Sequence, residues 1–250
     1  MTALERYLPR LVDGDLDTLY AELAPGALIQ ETFHTRVTEP VTYSFLVARH
    51  MWLHERQARV EPVMTTTVPG RSVVELTLHL TIDGRAMPLP VAVVADEDPD
   101  GKLRHVRLYH STWPFTGHHE WRQPMLPPDE NVQLVEPVAS YQRALAAGDV
   151  EGVLAVFAPD AYAREPAGHR HEGPEGLRGF YAGSLASGGI PLDHCTVTDD
   201  GRACALEYNV IRWGRTPLPA QPGVAVYERA SPRLLAAARI YDDVQQPGVE

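Results

Sequence analysis

From Val73 to Ile82 the chain alternates. Val74, Leu76, Leu78, Leu80 and Ile82 fall on one face, and Glu75, Thr77, His79 and Thr81 on the other. A period of two with one apolar face predicts a half-buried antiparallel strand. Asp83-Gly84 follows as a hairpin turn signal, and Val91 to Ala95 and Leu103 to His110 continue as strands around the acidic turn Asp96 to Gly101. The second half of the chain repeats this order. Between Arg202 and Trp213, Cys204, Leu206, Tyr208 and Val210 alternate with Ala203, Ala205, Glu207, Asn209, Ile211 and Trp213, and Val224 to Arg229 and Leu234 to Asp243 close a four-strand meander.

Ahead of each run of strands the period changes to that of a helix. Leu4, Leu8 and Leu11, then Leu16, Leu19 and Tyr20, predict two short helices bent at Gly14-Asp15, with Asp15 capping the second. A short strand from Ala27 to Phe33 carries Glu31, and residues 40–57 form a helix through Phe45, Leu46, Met51, Trp52 and Leu53. The later half gives helices at 137–147 and 150–157, a strand with Glu165, and a helix at 174–187 opened by Pro174 and Glu175.

The two halves share a frame as well as an order. Tyr7 precedes Gly14-Asp15 by the interval that separates Tyr141 from Gly148-Asp149, and Glu31 follows Asp15 as Glu165 follows Asp149. Met87 to Pro90 echoes Thr216 to Pro219, and Arg107-Leu108-Tyr109 echoes Arg239-Ile240-Tyr241. A repeat of this length is a duplicated domain rather than a stacked solenoid unit. We therefore expect domains at 1–115 and 132–250, joined by a proline-rich linker at 116–131 that contains Pro124, Pro127 and Pro128.

Tyr141, Gly148-Asp149, Phe157-Ala158-Pro159-Asp160-Ala161, Glu165-Pro166-Ala167-Gly168 and Leu177-Arg178-Gly179-Phe180-Tyr181 stand at characteristic spacings. In them the chain resembles the bacterial ketosteroid isomerases of the nuclear transport factor 2-like, or SnoaL-like, superfamily. The resemblance implies an α+β fold: two tandem cone-shaped domains, each a curved antiparallel sheet wrapped around about three helices, in the cystatin-like manner. It also implies that the two halves pair as a pseudo-dimer within one chain.

Composition narrows the partners. A net charge of −11 opposes nucleic acid and anionic membrane surfaces. The sequence shows no secretory signal and no apolar run near 18 residues, and with only Cys195 and Cys204 it reads as a cytoplasmic protein with free thiols. One lysine, Lys102, among 22 basic residues points to a GC-rich bacterial genome. No nucleotide-binding glycine pattern or nucleophile elbow appears, and His118, His119 and Glu120 lie adjacent in a proline-rich stretch without further ligands at a recognised spacing, so no metal or other cofactor is expected.

The resemblance implies that Glu165 stands at the base position and Tyr141 at the oxyanion donor, with Glu31 and Tyr7 as their upstream copies. The family's second donor, a carboxylic acid, falls on Ala225 here and on Val93 in the first half, so neither half keeps it. Asp242 and Asp243 supply carboxylates at the end of the last strand, one of them facing inward if alternation holds. Phe157, Phe180, Tyr208, Trp213 and His169 are candidate substrate contacts. Three functions stay open. One is a cofactor-independent isomerase or cyclase for an apolar oxygenated natural product. The second is an epoxide hydrolase or epoxide-opening cyclase using a carboxylate pair, and the third is a non-catalytic binding or assembly module.

Overall fold

The structure is a computed structural model that describes residues 1–31 and 40–248. The chain divides into two compact units, Met1–His110 and Ser111–Glu250. Both are α+β, each a sheet carrying helices.

The first unit runs α1 (Ala3–Asp13), α2 (Leu16–Ala21), β1 (Leu23–Gln30), α3 (Tyr43–Glu55), β2 (Arg59–Val68), β3 (Arg71–Ile82), β4 (Arg85–Glu97) and β5 (Leu103–Tyr109). Its sheet has the order β1-β5-β4-β3-β2, with β1 parallel to β5 and every other pair antiparallel. Thr2 opens α1 with a reciprocal capping box to Glu5, and Gly14 ends it in the left-handed region, at φ 79°. Asp15 stands at the N-cap of α2, but its carboxylate accepts from the Thr18 hydroxyl at 2.6 Å and makes no cap to the backbone. The Asp83-Gly84 turn has positive φ at both residues, as a two-residue hairpin matched to strand twist requires. Glu31 lies just beyond β1, and Thr32 and Phe33 of the expected strand lie outside the described residues. Glu75, expected on a solvated face, is buried: β3 lies inside the sheet between β4 and β2, and consecutive residues Ser72 to Leu76 are all buried.

The second unit contains α4 (Trp113–Thr116), α5 (Val138–Ala147), α6 (Val150–Leu154), β6 (Phe157–Arg164), β7 (Arg170–Glu172), α7 (Gly173–Ser184), β8 (Leu192–Asp199), β9 (Ala203–Trp213), β10 (Thr216–Ser231) and β11 (Leu234–Tyr241). The sheet order β7-β6-β11-β10-β9-β8 repeats that of the first unit with β7 added at one edge. The parallel pairing of β6 with β11 matches that of β1 with β5, and β8 to β11 form the expected antiparallel meander. Asp149 caps α6 by accepting from Gly152 N–H at 3.0 Å. Val138, Tyr141 and Leu145 of α5, Leu177 and Tyr181 of α7, and Leu206, Tyr208, Ala225 and Tyr227 of the sheet belong to one apolar core.

Residues 116–131 differ from the expected linker, since they belong to the second unit and are tied to its sheet. Asn209 donates to the Leu126 carbonyl at 3.0 Å, and Asp129 N–H donates to the His194 carbonyl at 2.8 Å. Asn209 is buried on the face of β9 where alternation put polar residues, and a buried amide needs such a partner. Cys195 and Cys204 are buried thiols that form no disulfide among the described residues. No helix among the described residues is long and apolar enough to cross a membrane.

Candidate active site

The apolar core of the second unit encloses a cavity of about 440 Å³. Helix α5 contributes Tyr141 and Leu145, α7 Phe180 and Tyr181, β9 Tyr208, Val210 and Trp213, and β10 Ala225 and Tyr227. Glu165 and His169 come from the β6–β7 loop, Asp242 follows β11, and Trp113 and His119 come from the segment before α5.

Four tyrosines dominate the interior. The Tyr141 and Tyr181 hydroxyls share a hydrogen bond of 2.9 Å, Gln142 Nε2 donates to the Tyr227 hydroxyl at 2.7 Å, and the Tyr208 hydroxyl donates to Asp242 Oδ2 at 2.8 Å. Burial pushes the Tyr141 phenol up to about 12, against the opposing effect of the Tyr181 bond, and burial raises Tyr181, Tyr208 and Tyr227 well above their ordinary value. These hydroxyls are therefore neutral hydrogen-bond donors at physiological pH.

Tyr208 owes its position to a missing side chain. Gly223 lies opposite it in the β9–β10 ladder, and a Cβ there would stand 2.6 Å from Tyr208 Cε2. The far edge of the ring and its hydroxyl occupy the space that a side chain at 223 would fill.

The adjacent carboxylates Asp242 and Asp243 have opposite environments. Asp242 lines the cavity, and burial raises its carboxyl from 3.8 to about 6, although the bonds from Tyr208 and the Val244 amide pull the other way. Asp243 leaves the cavity and accepts at both oxygens. Ser111 Oγ at 2.7 Å, Thr112 N–H at 3.0 Å and His119 Nδ1 at 2.9 Å reach Oδ1. The Thr112 hydroxyl, Glu120 N–H at 3.0 Å and Arg122 at 3.2 Å reach Oδ2. Burial alone would raise Asp243, but His119, Arg122, Thr112 and the Glu120 amide together hold it well below the usual carboxylate range. It is a fixed anion that pins residues 111–122 with its oxygens engaged, and of the two candidate aspartates Asp242 is the one that lines the cavity.

Glu165 lies at the wall of the same cavity, one residue past β6 rather than on the strand. Its carboxylate pairs with His169 Nδ1 and stands 3.5 Å from His171 Nε2, and His171 stacks on Phe180 at 4.5 Å between ring centroids. Trp213 lines the wall while donating from Nε1 to the Ser184 carbonyl at 2.8 Å. Phe157, expected as a substrate contact, is instead packed behind the cavity against the rings of Tyr141 and Tyr181, about 6 Å away between centroids. Ala225 does face the cavity, so the place of the family's second acid is apolar.

The first unit keeps the frame without the space. Glu31 is paired with Arg49 of α3 at 2.6 Å, and burial raises its carboxyl to about 7 against the opposing charge of Arg49. The adjoining cavity measures about 50 Å³, and the buried Tyr7 hydroxyl has no hydrogen-bond partner among the described residues. Of the residues that sequence reasoning missed, Tyr181 was present in the Phe180-Tyr181 motif and His119 stood only as a candidate metal ligand beside His118 and Glu120, whereas Gln142 and Tyr227 carried no signal of their own.

Residues 138–235 match the SnoaL-like domain family. Solved structures similar to the chain include a proposed polyketide cyclase from Sinorhizobium meliloti, at 22% identity and TM-score 0.38, covering 43% of this chain and 94% of that one. An uncharacterized cystatin-fold protein from Novosphingobium aromaticivorans is similar at 20% identity and TM-score 0.37, over 43% and 98%. An NTF2-like protein of unknown function from Cytophaga hutchinsonii is similar at 14% and 0.36, over 45% and 94%. The second unit thus carries a SnoaL-like domain, the superfamily expected from its motifs.

Proposed function

We propose that the second unit is a cofactor-independent acid/base enzyme that isomerises or cyclises an apolar, oxygenated small molecule, with Asp242 as the proton carrier. The observation that carries this reading is the environment of Asp242, a carboxyl buried in an apolar cavity at about 6, held by the Tyr208 hydroxyl. A group with that value is populated in both protonation states near neutral pH, which general acid/base catalysis favours. In the Tyr141–Tyr181 pair one hydroxyl donates to the other, which leaves one neutral O–H to donate to an oxygen that gains charge, the role an oxyanion site requires. A cavity of about 440 Å³ walled by aromatic rings suits a fused-ring skeleton and offers its few polar groups at defined points. The proposed roles move the proton-carrying carboxyl from Glu165 to Asp242 and keep the donor role for Tyr141.

The test is deuterium incorporation from D2O into a bicyclic ketone, 1-decalone, followed by NMR. Wild type should catalyse exchange alpha to the carbonyl, and Asp242→Asn should abolish it. Exchange that survives in Asp242→Asn overturns the assignment of Asp242. A second reading rests on the presence of both Glu165 and Asp242 at one cavity, a carboxylate pair suited to opening an epoxide by acid assistance and nucleophile activation. Hydrolysis of a bicyclic epoxide in the absence of ketone exchange would favour it. Saturable binding with neither reaction would leave a binding module.

A further inference from the structure

The segment before α5 brings a histidine to the cavity from outside the matched domain. His119 lies at the cavity wall beside Trp113, with ring centroids 5.0 Å apart and planes tilted by 31°. Its Nδ1 is 2.9 Å from Asp243 Oδ1. Asp243 is a fixed anion with acceptor atoms only, so Nδ1 must be the protonated nitrogen of the neutral ring. Nε2 is then the bare nitrogen, and it has no protein partner among the described residues. A carboxylate that fixes the tautomer of an imidazole while its other nitrogen stays open is the arrangement that makes histidine a base. Asp242 is next to Asp243 in sequence, and the charges of both Asp243 and His119 act on its carboxyl.

We propose that His119, oriented by Asp243, is a second acid/base residue of the cavity and works as the complement of Asp242. The inference rests on the proposed ketone chemistry and deepens it. Enolisation takes a proton from carbon and adds one to the carbonyl oxygen, so it is served by two fixed groups, one at each reacting atom. In the forward step the Nε2 lone pair takes the proton alpha to the carbonyl, and the C–H pair forms the enol double bond. The carbonyl π pair takes the Asp242 proton, leaving an imidazolium and a carboxylate. Where the substrate carries a double bond beta,gamma to the carbonyl the product is a dienol. The imidazolium then protonates its gamma carbon while the enol O–H returns its proton to Asp242, which restores both groups and gives the conjugated isomer with no external acid or base consumed. Trp113, partly exposed, lines this end of the cavity with its ring tilted against the imidazole. Asp243 is a positioning residue in this scheme, and it does so by holding Ser111, Thr112, Glu120 and Arg122 as well as the imidazole.

The experiment uses the full chain with 15N-labelled histidine. His119→Asn assigns the resonance and keeps the bond to Asp243, because the asparagine amide nitrogen stands where Nδ1 stands. Long-range 1H–15N spectra at pH 8 should show His119 as the Nδ1–H tautomer. In the 1-decalone exchange assay, His119→Asn should lose roughly 100-fold or more, the usual contribution of such a group, with an unchanged melting temperature. An Nε2–H tautomer overturns the proposal. So does exchange by His119→Asn within a few-fold of wild type while Asp242→Asn is inactive, and in that case the Asp242 reading stands. Absence of exchange by wild type defeats the ketone reading itself, and the role of His119 falls with it.

Discussion

Replacing Asp242 by asparagine should stabilise the second unit at high pH, although it removes the group on which the proposed chemistry depends. The carboxyl is raised from 3.8 in the unfolded chain to about 6 in the fold, chiefly by burial. Between those values the native state binds more protons than the unfolded state, so stability falls as pH rises through the interval and levels off above it. A rise of about two units at 1.36 kcal/mol per unit makes the penalty about 3 kcal/mol, fully felt near pH 8 and absent below about pH 4. Asparagine keeps an acceptor for Tyr208 and carries no charge, so it escapes the penalty at every pH. Its own packing cost is the same at all pH values and cancels when two pH values are compared. Urea unfolding of wild type and Asp242→Asn, followed by tryptophan fluorescence, should therefore show the difference in stability shifting in favour of the variant by about 3 kcal/mol between pH 4 and pH 8. A difference that does not change with pH, or that turns against the variant as pH rises, would refute the reasoning.

Gly223→Ala should push the Tyr208 ring off its strand and cost about 1–3 kcal/mol by overpacking; 13C spectra should then show the Asp242 carboxyl titrating above its wild-type midpoint as the Tyr208 bond is lost. Asp243→Ala removes the acceptor shared by Arg122, His119, Thr112, Ser111 and Glu120 N–H, and urea unfolding at neutral pH should read a loss of about 3–5 kcal/mol. Asp243 titrates below its unfolded value, so its contribution is present above about pH 4 and is lost as pH falls through the folded value; the Asp243→Ala deficit should shrink accordingly on acidification. In the first unit, Glu31→Gln should leave the deuterium exchange rate unchanged, because Glu31 is paired with Arg49 beside a cavity of about 50 Å³.

Much of the fold was legible because burial imposes periodicity. The alternation of Val74 to Ile82 and of Cys204 to Val210 and the Asp83-Gly84 turn each leave a local trace, and the structure follows them, whereas the cap expected from Asp15 does not form. β11 ends at Tyr241, yet Ile240, Asp242 and Val244 all line the cavity, so the alternation runs on past the strand as expected; spacing left open only which of the two aspartates faces inward. The failures occurred where a partner lies far away in sequence. Glu75 and Asn209 fall on faces that look solvated from spacing alone, and what covers them is not written beside them. His119 stood in a proline-rich run that resembled a linker, and its partner Asp243 is 124 residues away. The motif placed Glu165 and Tyr141 at one cavity, but it could not report that burial acts hardest on Asp242.

The measurement closest to the central claim is a 13C titration of the Asp242 side-chain carboxyl, assigned by its loss in Asp242→Asn. The account predicts a midpoint near 6, set by burial against the Tyr208 bond. A midpoint near 4, the ordinary aspartate value, would mean a solvated carboxylate and would contradict the assignment of Asp242 as the proton carrier of an apolar site.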